Sequence, residues 1–125
     1  MPVPAIIGSA TQLITKDINA STSWYRQKMG FDLIRFVGEP PVYAMLQRDG
    51  FQLHLAKTTT GHVPLNRDAN SISHDIIFWV PEIDAFHHEL MERGANFLQP
   101  IMLKPYGNRE FVVEDFDGHR ILICD

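Results

Sequence analysis

Cysteine is almost absent from this chain, since Cys124 is the only one among 125 residues. No disulfide can form within the chain, and a lone cysteine is typical of a reducing compartment, which predicts a cytoplasmic protein. Long apolar runs are missing too, because none approaches the roughly 18 residues of a membrane-spanning helix. Residues 1–4 lack the charged start of a signal peptide. We therefore expect no membrane partner.

Positive charge is scarce and dispersed. The chain has 11 Lys and Arg against 15 Asp and Glu, which gives a formal net charge of −4. Nucleic-acid binding needs a basic patch or stripe for the phosphates, and the sequence offers none, so we expect no nucleic-acid partner. The length is enough to bury a substantial core and predicts one domain over residues 1–125.

What the chain does contain is an internal repeat. Equivalent positions recur at offsets of 64 to 68 residues, as in the pairs Ala10 and Asp75, Ile18 and Ile83, Gly30 and Gly94, and Gly50 and Gly118. A nearly constant offset with small drift in the loops is typical of a duplicated module. Module one is predicted over about residues 8–56, a polar connection over 57–72, and module two over about 73–125.

Each module is predicted to contain a strand, a helix and three further strands. The signals are alternating apolar residues for the strands, Asp17 as a helix cap, a glycine at each helix end and an Asp-Gly turn before each last strand. Strands are predicted over 9–15, 31–37, 42–47 and 51–56, then over 75–80, 96–99, 109–114 and 120–124. Helices are predicted over 18–29 and 82–93.

Alternation along the strands also assigns their two faces. The side expected to face the helices and form the core carries Phe51, Leu53, Leu55, Ile76, Phe78, Val80, Ile121 and Ile123. The opposite, concave side is expected to carry Gln52, His54, Ala56, Asp75, Ile77, Trp79, Arg120, Leu122 and Cys124. Functional chemistry is expected in that concavity.

A family pattern spans almost the whole chain. Its parts are Leu13-x3-Asp17-x3-Ser21-x2-Trp24-Tyr25-x3-Met29-Gly30-Phe31, then Val80-Pro-Glu82-Ile-Asp84-Ala85, then Tyr106-Gly107-x-Arg109-x-Phe111, and finally Asp115-Phe-Asp117-Gly118. In this order they resemble the vicinal oxygen chelate superfamily, which includes glyoxalase I, ring-cleaving extradiol dioxygenases, fosfomycin-resistance transferases and bleomycin-resistance proteins.

The resemblance implies an α+β fold of two tandem βαβββ modules that form a curved mixed sheet with an open cleft, with the helices on the outer face. It also implies a homodimer, swapped or unswapped, whose site is formed by facing sheets. In metal-using members the ligands occupy four positions, which correspond here to Ala10, His54, Asp75 and Leu122. Alanine and leucine bind no metal, so we expect a metal-free protein without a cofactor. If a divalent metal binds, His54 and Asp75 are its candidate ligands.

The candidate ligand-binding residues are His54, Asp75, Ile77, Trp79, Gln52, Tyr106, Arg109 and Arg120. A histidine at this place is a general base or a polar wall of the pocket, and an indole stacks on a flat or cationic ligand or fills a dimer interface. The phenol of Tyr106 and the guanidinium of Arg109 orient an oxyanion, or Arg109 pairs with Glu110 or Asp115. Asp75 hydrogen-bonds or pairs with a cationic ligand, or it pairs with Arg120.

Other patterns are assigned structural roles. Trp24 and Tyr25 are expected in the core, and the helical pair His88 and Glu92 is expected on a solvated face rather than at a metal. No base accompanies Cys124 in sequence, so a nucleophilic role is not expected.

Three functional hypotheses follow. The first is a small-molecule binding protein similar to the bleomycin-resistance branch, with an organic or aromatic ligand between facing sheets. The alternative is a divergent metal-dependent lyase, isomerase or dioxygenase that uses His54 and Asp75. The third is an assembly partner with a vestigial cleft. The sequence assigns neither catalytic residues nor the identity of the ligand.

Overall fold

The computed structural model describes residues 1–125 and contains eight strands and three helices. In chain order these are β1 (Ala10–Thr15), α1 (Ile18–Met29), β2 (Asp32–Val37), β3 (Tyr43–Arg48), β4 (Phe51–Lys57), α2 (Asn66–Ala69), β5 (Ile76–Trp79), α3 (Ile83–Arg93), β6 (Asn96–Leu103), β7 (Arg109–Glu114) and β8 (Arg120–Cys124). None of the helices combines the length and the apolar character needed to span a membrane.

The strands form two four-stranded mixed sheets with the same topology. The first sheet has the order β1-β4-β3-β2, and the second has the order β5-β8-β7-β6. In each sheet the first strand of the module runs parallel to the last, and the remaining pairs are antiparallel. The predicted α+β fold with two tandem βαβββ modules is confirmed.

The two main helices begin and end for local reasons. The Asp17 carboxylate accepts a hydrogen bond from the Ala20 N–H at 3.0 Å and so caps α1. The helices α1 and α3 end at Gly30 and Gly94, whose φ values of 68° and 78° lie in the left-handed region that glycine adopts without a Cβ clash. These sequence-predicted boundaries are confirmed.

The core lies between the modules. Sixteen buried residues from both sheets and both long helices form one cluster, which includes Tyr25, Leu55, Leu90, Phe111 and Ile121. Helix α1 contacts the first sheet and also contacts α3, which packs on β7. One face of each sheet is therefore covered by helix, and we call the other face of each sheet its open face.

Polar contacts also join the modules. The Tyr25 hydroxyl on α1 donates to Asp115 at 2.6 Å, and this carboxylate follows β7. Arg48 on β3 forms a two-pronged ion pair with Glu89 on α3, with N···O distances of 2.7 and 2.8 Å. Arg48 also donates to the Met29 carbonyl at 2.7 Å, so this one side chain links β3, the end of α1 and α3.

Two details of the strands differ from the sequence expectations. Phe51 was expected in the core but is 72% exposed, because it begins β4 beside the Asp49-Gly50 turn and lines an open concavity. Strand β6 extends to Leu103, well past the predicted end at residue 99. Pro100 is tolerated there because β6 is an edge strand with register shifts on both sides of Gln99.

Candidate ligand-binding site

A chain of hydrogen bonds crosses the open face of the first sheet. The Gln12 amide nitrogen lies 2.8 Å from the Tyr43 hydroxyl, which lies 2.7 Å from Nδ1 of His54. The other ring nitrogen, Nε2, lies 2.8 Å from the Gln52 side-chain oxygen. The strand register explains this order. Gln12 on β1 and Met45 on β3 lie on either side of His54, and Tyr43 lies two residues from Met45 on the same face of β3.

Both ring nitrogens of His54 are engaged. The Tyr43 hydroxyl accepts from the Gln12 amide and bonds to Nδ1. The Gln52 side-chain oxygen can only accept, so Nε2 donates to it. His54 is thus held in a fixed orientation as part of a polar wall.

The open face of the second sheet is mainly apolar. Ile77 is 46% exposed and Trp79 is 70% exposed. In register beside them on β8 lie Leu122 and Cys124. Val112 on β7 completes the row that starts at Ile77, although Val112 and Cys124 are themselves only 5% and 3% exposed. The exposed part of this surface is the indole of Trp79 with the Ile77 side chain, and it is suited to contact with an aromatic or aliphatic molecule.

One carboxylate interrupts this apolar surface. Glu110 on β7 lies beside Cys124 and is only 6% exposed. The Tyr106 hydroxyl donates to its Oε1 at 2.9 Å, and the Lys104 ammonium lies 3.7 Å from the same oxygen. The hydrogen bond to Glu110 raises the pKa of Tyr106, and burial, with a contribution from the Glu110 charge, raises the pKa of the Cys124 thiol. Both groups are therefore protonated at neutral pH.

Asp75 and Arg120 lie at the end of the second sheet and are engaged locally. The Asp75 carboxylate accepts the backbone N–H of Asn66 and that of Arg120, both at 2.9 Å. The Arg120 guanidinium donates to the Ser71 carbonyl at 2.8 Å. These bonds fasten the connecting segment to the start of β5.

Arg109 lies away from the other candidates. It alternates with Glu110 along β7 and so belongs to the helix-covered side, where it pairs with Asp84 at 2.9 Å and with Asp125 at 3.2 Å. A charge pair with a neighbouring carboxylate was anticipated from sequence, although with different partners.

The chain does not bring all the candidates together. Gln52 and His54 are on the open face of the first sheet, whereas Ile77, Trp79 and Tyr106 are on the second. The helix-covered faces share one core, so both open faces lie outside that core. A site formed by facing sheets would need the first sheet of one subunit opposite the second sheet of another.

Sequence reasoning missed Tyr43 and Glu110. Both were within reach of the alternation argument, because Tyr43 is in register with Ala56 and Glu110 with Cys124, two residues assigned to the concavity. Both lie on strands other than the first and last of their module, which are the strands where the family places its metal ligands.

A second concavity lies at the junction of the modules. It has a volume of about 380 Å³ and is lined by apolar side chains, among them Phe31, Phe78 and Phe86. Arg48 lies over the Phe86 ring at 4.7 Å and, paired with Glu89, forms its polar floor. Trp79 lines this cleft as well as the open face. Experiments on Trp79 alone therefore do not separate the two sites.

The four positions that the family resemblance assigns to metal ligands do not fit a metal. Ala10 and Leu122 have no donor atom. Both nitrogens of His54 and both oxygens of Asp75 already take part in hydrogen bonds within the chain. Three protein donors with an open position are the usual requirement for a catalytic zinc site, and only two of these four positions, His54 and Asp75, carry donor atoms.

Another cluster of possible ligands lies at the module boundary. Donor atoms of Asp115, Asp117 and His119 lie within 4.8 Å of one another. The Asp115 oxygens accept hydrogen bonds from Tyr25, from the His119 ring and from the backbone N–H groups of residues 117 and 119. Burial alone lowers the pKa of His119, but the bond and charge of Asp115 outweigh it, so the pKa is raised. The cluster is an internal polar network that joins the modules.

The sequence matches the model of the Glyoxalase/Bleomycin resistance protein/Dioxygenase superfamily over residues 7–123. The chain belongs to this superfamily. No curated protein sequence matches the chain. The recognised superfamily and the paired modules thus agree with the expectation from sequence.

Solved structures of other proteins share this fold. TioX from Micromonospora sp. ML1 is 22% identical, with a TM-score of 0.72 over 94% of this chain and 96% of that one. The bleomycin-binding protein from Streptomyces verticillus, solved with copper(II)-bleomycin, is 22% identical, with a TM-score of 0.73 and 97% coverage of both chains. A superfamily member from Sphaerobacter thermophilus DSM 20745 is 20% identical, with a TM-score of 0.75 over 96% and 97%.

Proposed function

We propose that this protein is a metal-free, dimeric binding protein for a small organic molecule. The observation that carries the proposal is the pair of uncovered faces, one a polar hydrogen-bonded wall and the other an apolar surface around Trp79. Neither face is a complete site, because each lacks a second wall. The first sheet of one subunit set against the second sheet of the other would enclose a ligand between them.

The chemistry of the two faces suits binding rather than metal-assisted catalysis. Only two of the four predicted metal-ligand positions carry donor side chains, whereas His54 and the amide groups beside it offer fixed hydrogen-bond geometry to a polar edge of a ligand. The apolar face would cover an aromatic ring. The Streptomyces relative with the same fold was solved with copper(II)-bleomycin, which supports a binding role for such a scaffold.

The first test concerns assembly and metal content. Light scattering of the purified protein should give the mass of two chains, and elemental analysis should give far less than one metal ion per chain. About one Zn, Ni, Mn or Fe per chain, together with an activity that chelator and His54→Ala both abolish, would favour the metal-dependent enzyme and reject the proposal.

The second test locates the ligand, with the uncharged fluorophore acridone as the probe. Ile77→Asp changes the open face without touching the junction cleft, and Phe86→Ala changes the cleft without touching the open face. We expect Ile77→Asp to weaken acridone binding by about tenfold or more, since it places an unpaired charge against the probe, and Phe86→Ala to leave it unchanged. The reverse pattern would move the site to the junction cleft.

A further inference from the structure

Glu110 is an unusual group for an apolar surface. Its side chain is 8% exposed, yet a buried carboxylate is costly unless its charge is compensated. The Tyr106 hydroxyl and the Lys104 ammonium both approach Oε1, at 2.9 and 3.7 Å. The ammonium lies beyond hydrogen-bond distance, so the compensation is partial.

The second oxygen of Glu110 has no partner. The partners of Glu110 all lie at Oε1, and Oε2 is not among the fully enclosed polar atoms that lack a partner, so a small part of Oε2 is reached by solvent. A carboxylate oxygen that is held in place, mostly desolvated and unpaired is suited to a donor that carries positive charge.

The surroundings of Glu110 favour a cation with a flat apolar body. Trp79, Cys124 and Glu110 lie in one row across β5, β8 and β7. Two strand spacings separate the first from the last, about 10 Å. Tyr106 adds a second aromatic ring beside the carboxylate. Aromatic faces attract cations, and an indole at this distance would stack on a ring whose amine reaches Oε2.

We propose that Glu110, with Trp79 and Tyr106, forms a subsite on the second sheet for an aromatic ligand that carries a protonated amine or amidine. The amine donates to Oε2 of Glu110 and the ring stacks on the indole. This inference rests on the proposed binding function and adds the charge of the ligand to it. It also assigns a binding role to Glu110, which lies outside the four positions of the family's metal ligands.

The test compares two flat tricyclic fluorophores, proflavine, which is cationic at neutral pH, and acridone, which is uncharged. The wild-type protein should bind proflavine more tightly than acridone. Glu110→Gln keeps the shape and removes the charge, so it should weaken proflavine by about tenfold or more and leave acridone unchanged. Retained acridone binding also shows that the variant is folded.

Glu114→Gln is the matched control. Glu114 lies on the same strand and the same face, four residues away or about 13 Å, and its carboxylate is paired with Arg67 at 3.3 Å. The same loss of charge there should leave the affinity for proflavine within about twofold of the wild type, since exposed charges at this distance are screened by salt. Lys104→Met should strengthen proflavine binding, because it removes the competing ammonium.

The outcomes separate the two proposals. If acridone binds at the open face but the wild type shows no preference for proflavine, or Glu110→Gln does not weaken it, the cation subsite is wrong and the binding function stands. An equal loss in Glu114→Gln also rejects the subsite, because the effect is then one of net charge. If neither probe binds the wild type, both proposals are rejected.

Discussion

Tyr25 joins the two modules through a single short hydrogen bond. Its hydroxyl is fully buried and donates to Asp115 at 2.6 Å, across the boundary between α1 and the turn that follows β7. Burial and the Asp115 charge raise the pKa of this phenol well above its ordinary value, so it remains a donor throughout the accessible pH range. Tyr25→Phe removes the bond and changes little else in the packing.

The size of the effect follows from the partner. A hydrogen bond to a charged group contributes about 1.5–3 kcal/mol. The Asp115 oxygen that loses Tyr25 still accepts from the His119 ring at 2.8 Å, so no acceptor is left unpaired, and we expect a loss of about 2 kcal/mol. With a urea dependence of about 2 kcal/mol per M, the unfolding midpoint should fall by about 1 M.

Urea unfolding followed by circular dichroism and tryptophan fluorescence measures this loss. The Trp24 ring packs edge-on against Tyr25 with centroids 4.9 Å apart, so its emission reports on the same boundary. Both proteins must be compared at one concentration, because the proposed dimerisation would add a concentration-dependent contribution to stability.

Tyr43→Phe is the matched control, since it removes the same hydroxyl from a partly exposed position where water replaces the lost partners. Its midpoint should fall by less than about 0.5 M. If Tyr25→Phe leaves the midpoint unchanged, or lowers it no more than Tyr43→Phe does, the Tyr25–Asp115 hydrogen bond does not make the stabilising contribution assigned to it.

Three further predictions concern pH and backbone conformation. The pKa of His119 is raised, so its contribution to stability is complete below its ordinary value of 6.5 and is lost as the pH rises through the folded value. The difference in stability between the wild type and His119→Asn should therefore shrink in urea titrations from pH 6 to 9. The hydrogen bond from Arg48 lowers the pKa of Glu89 from 4.5 to about 2, so the stability that Glu89→Gln removes should be present above pH 4.5 and vanish as the pH falls toward 2. Because Glu89 is about one-third exposed, we expect only about 1 kcal/mol at pH 7. Finally, Gly30→Ala should lower the free energy of unfolding by about 1 kcal/mol more than Gly50→Ala does. Both glycines have positive φ, but a Cβ at residue 30 would lie 2.8 Å from the fixed Arg48 guanidinium, whereas a Cβ at residue 50 would meet nothing.

Local patterns were enough to predict most of the secondary structure. The helix ends at Gly30 and Gly94 were correct because each needs only a left-handed residue, and that preference belongs to glycine itself. The short helix Asn66–Ala69 was not predicted, since four residues with a poor apolar pattern leave no periodic signal. The exposure of Phe51 was missed for another reason. Alternation assigns a side chain to one face of a strand but does not tell whether that part of the face is covered.

The candidate site was only partly predictable. Alternation identified the face of His54 and Trp79, because a strand's side-chain period is fixed by its backbone. The hydrogen-bond partners of His54, and the unpaired oxygen of Glu110, depend on the register between strands far apart in sequence. No single segment contains that information.

Residue identity and local periodicity are enough to establish the duplicated scaffold, the superfamily and the absence of metal-binding side chains at two of the four expected positions. The three-dimensional packing was needed to show that Asp75 fastens a loop, that Arg109 lies on the helix-covered side, and that both open faces lie outside the shared core. These outcomes depend on how two modules share one core. The helices must be buried between the sheets to remove their apolar surfaces from water, and that packing leaves a different half-site on each side of the chain.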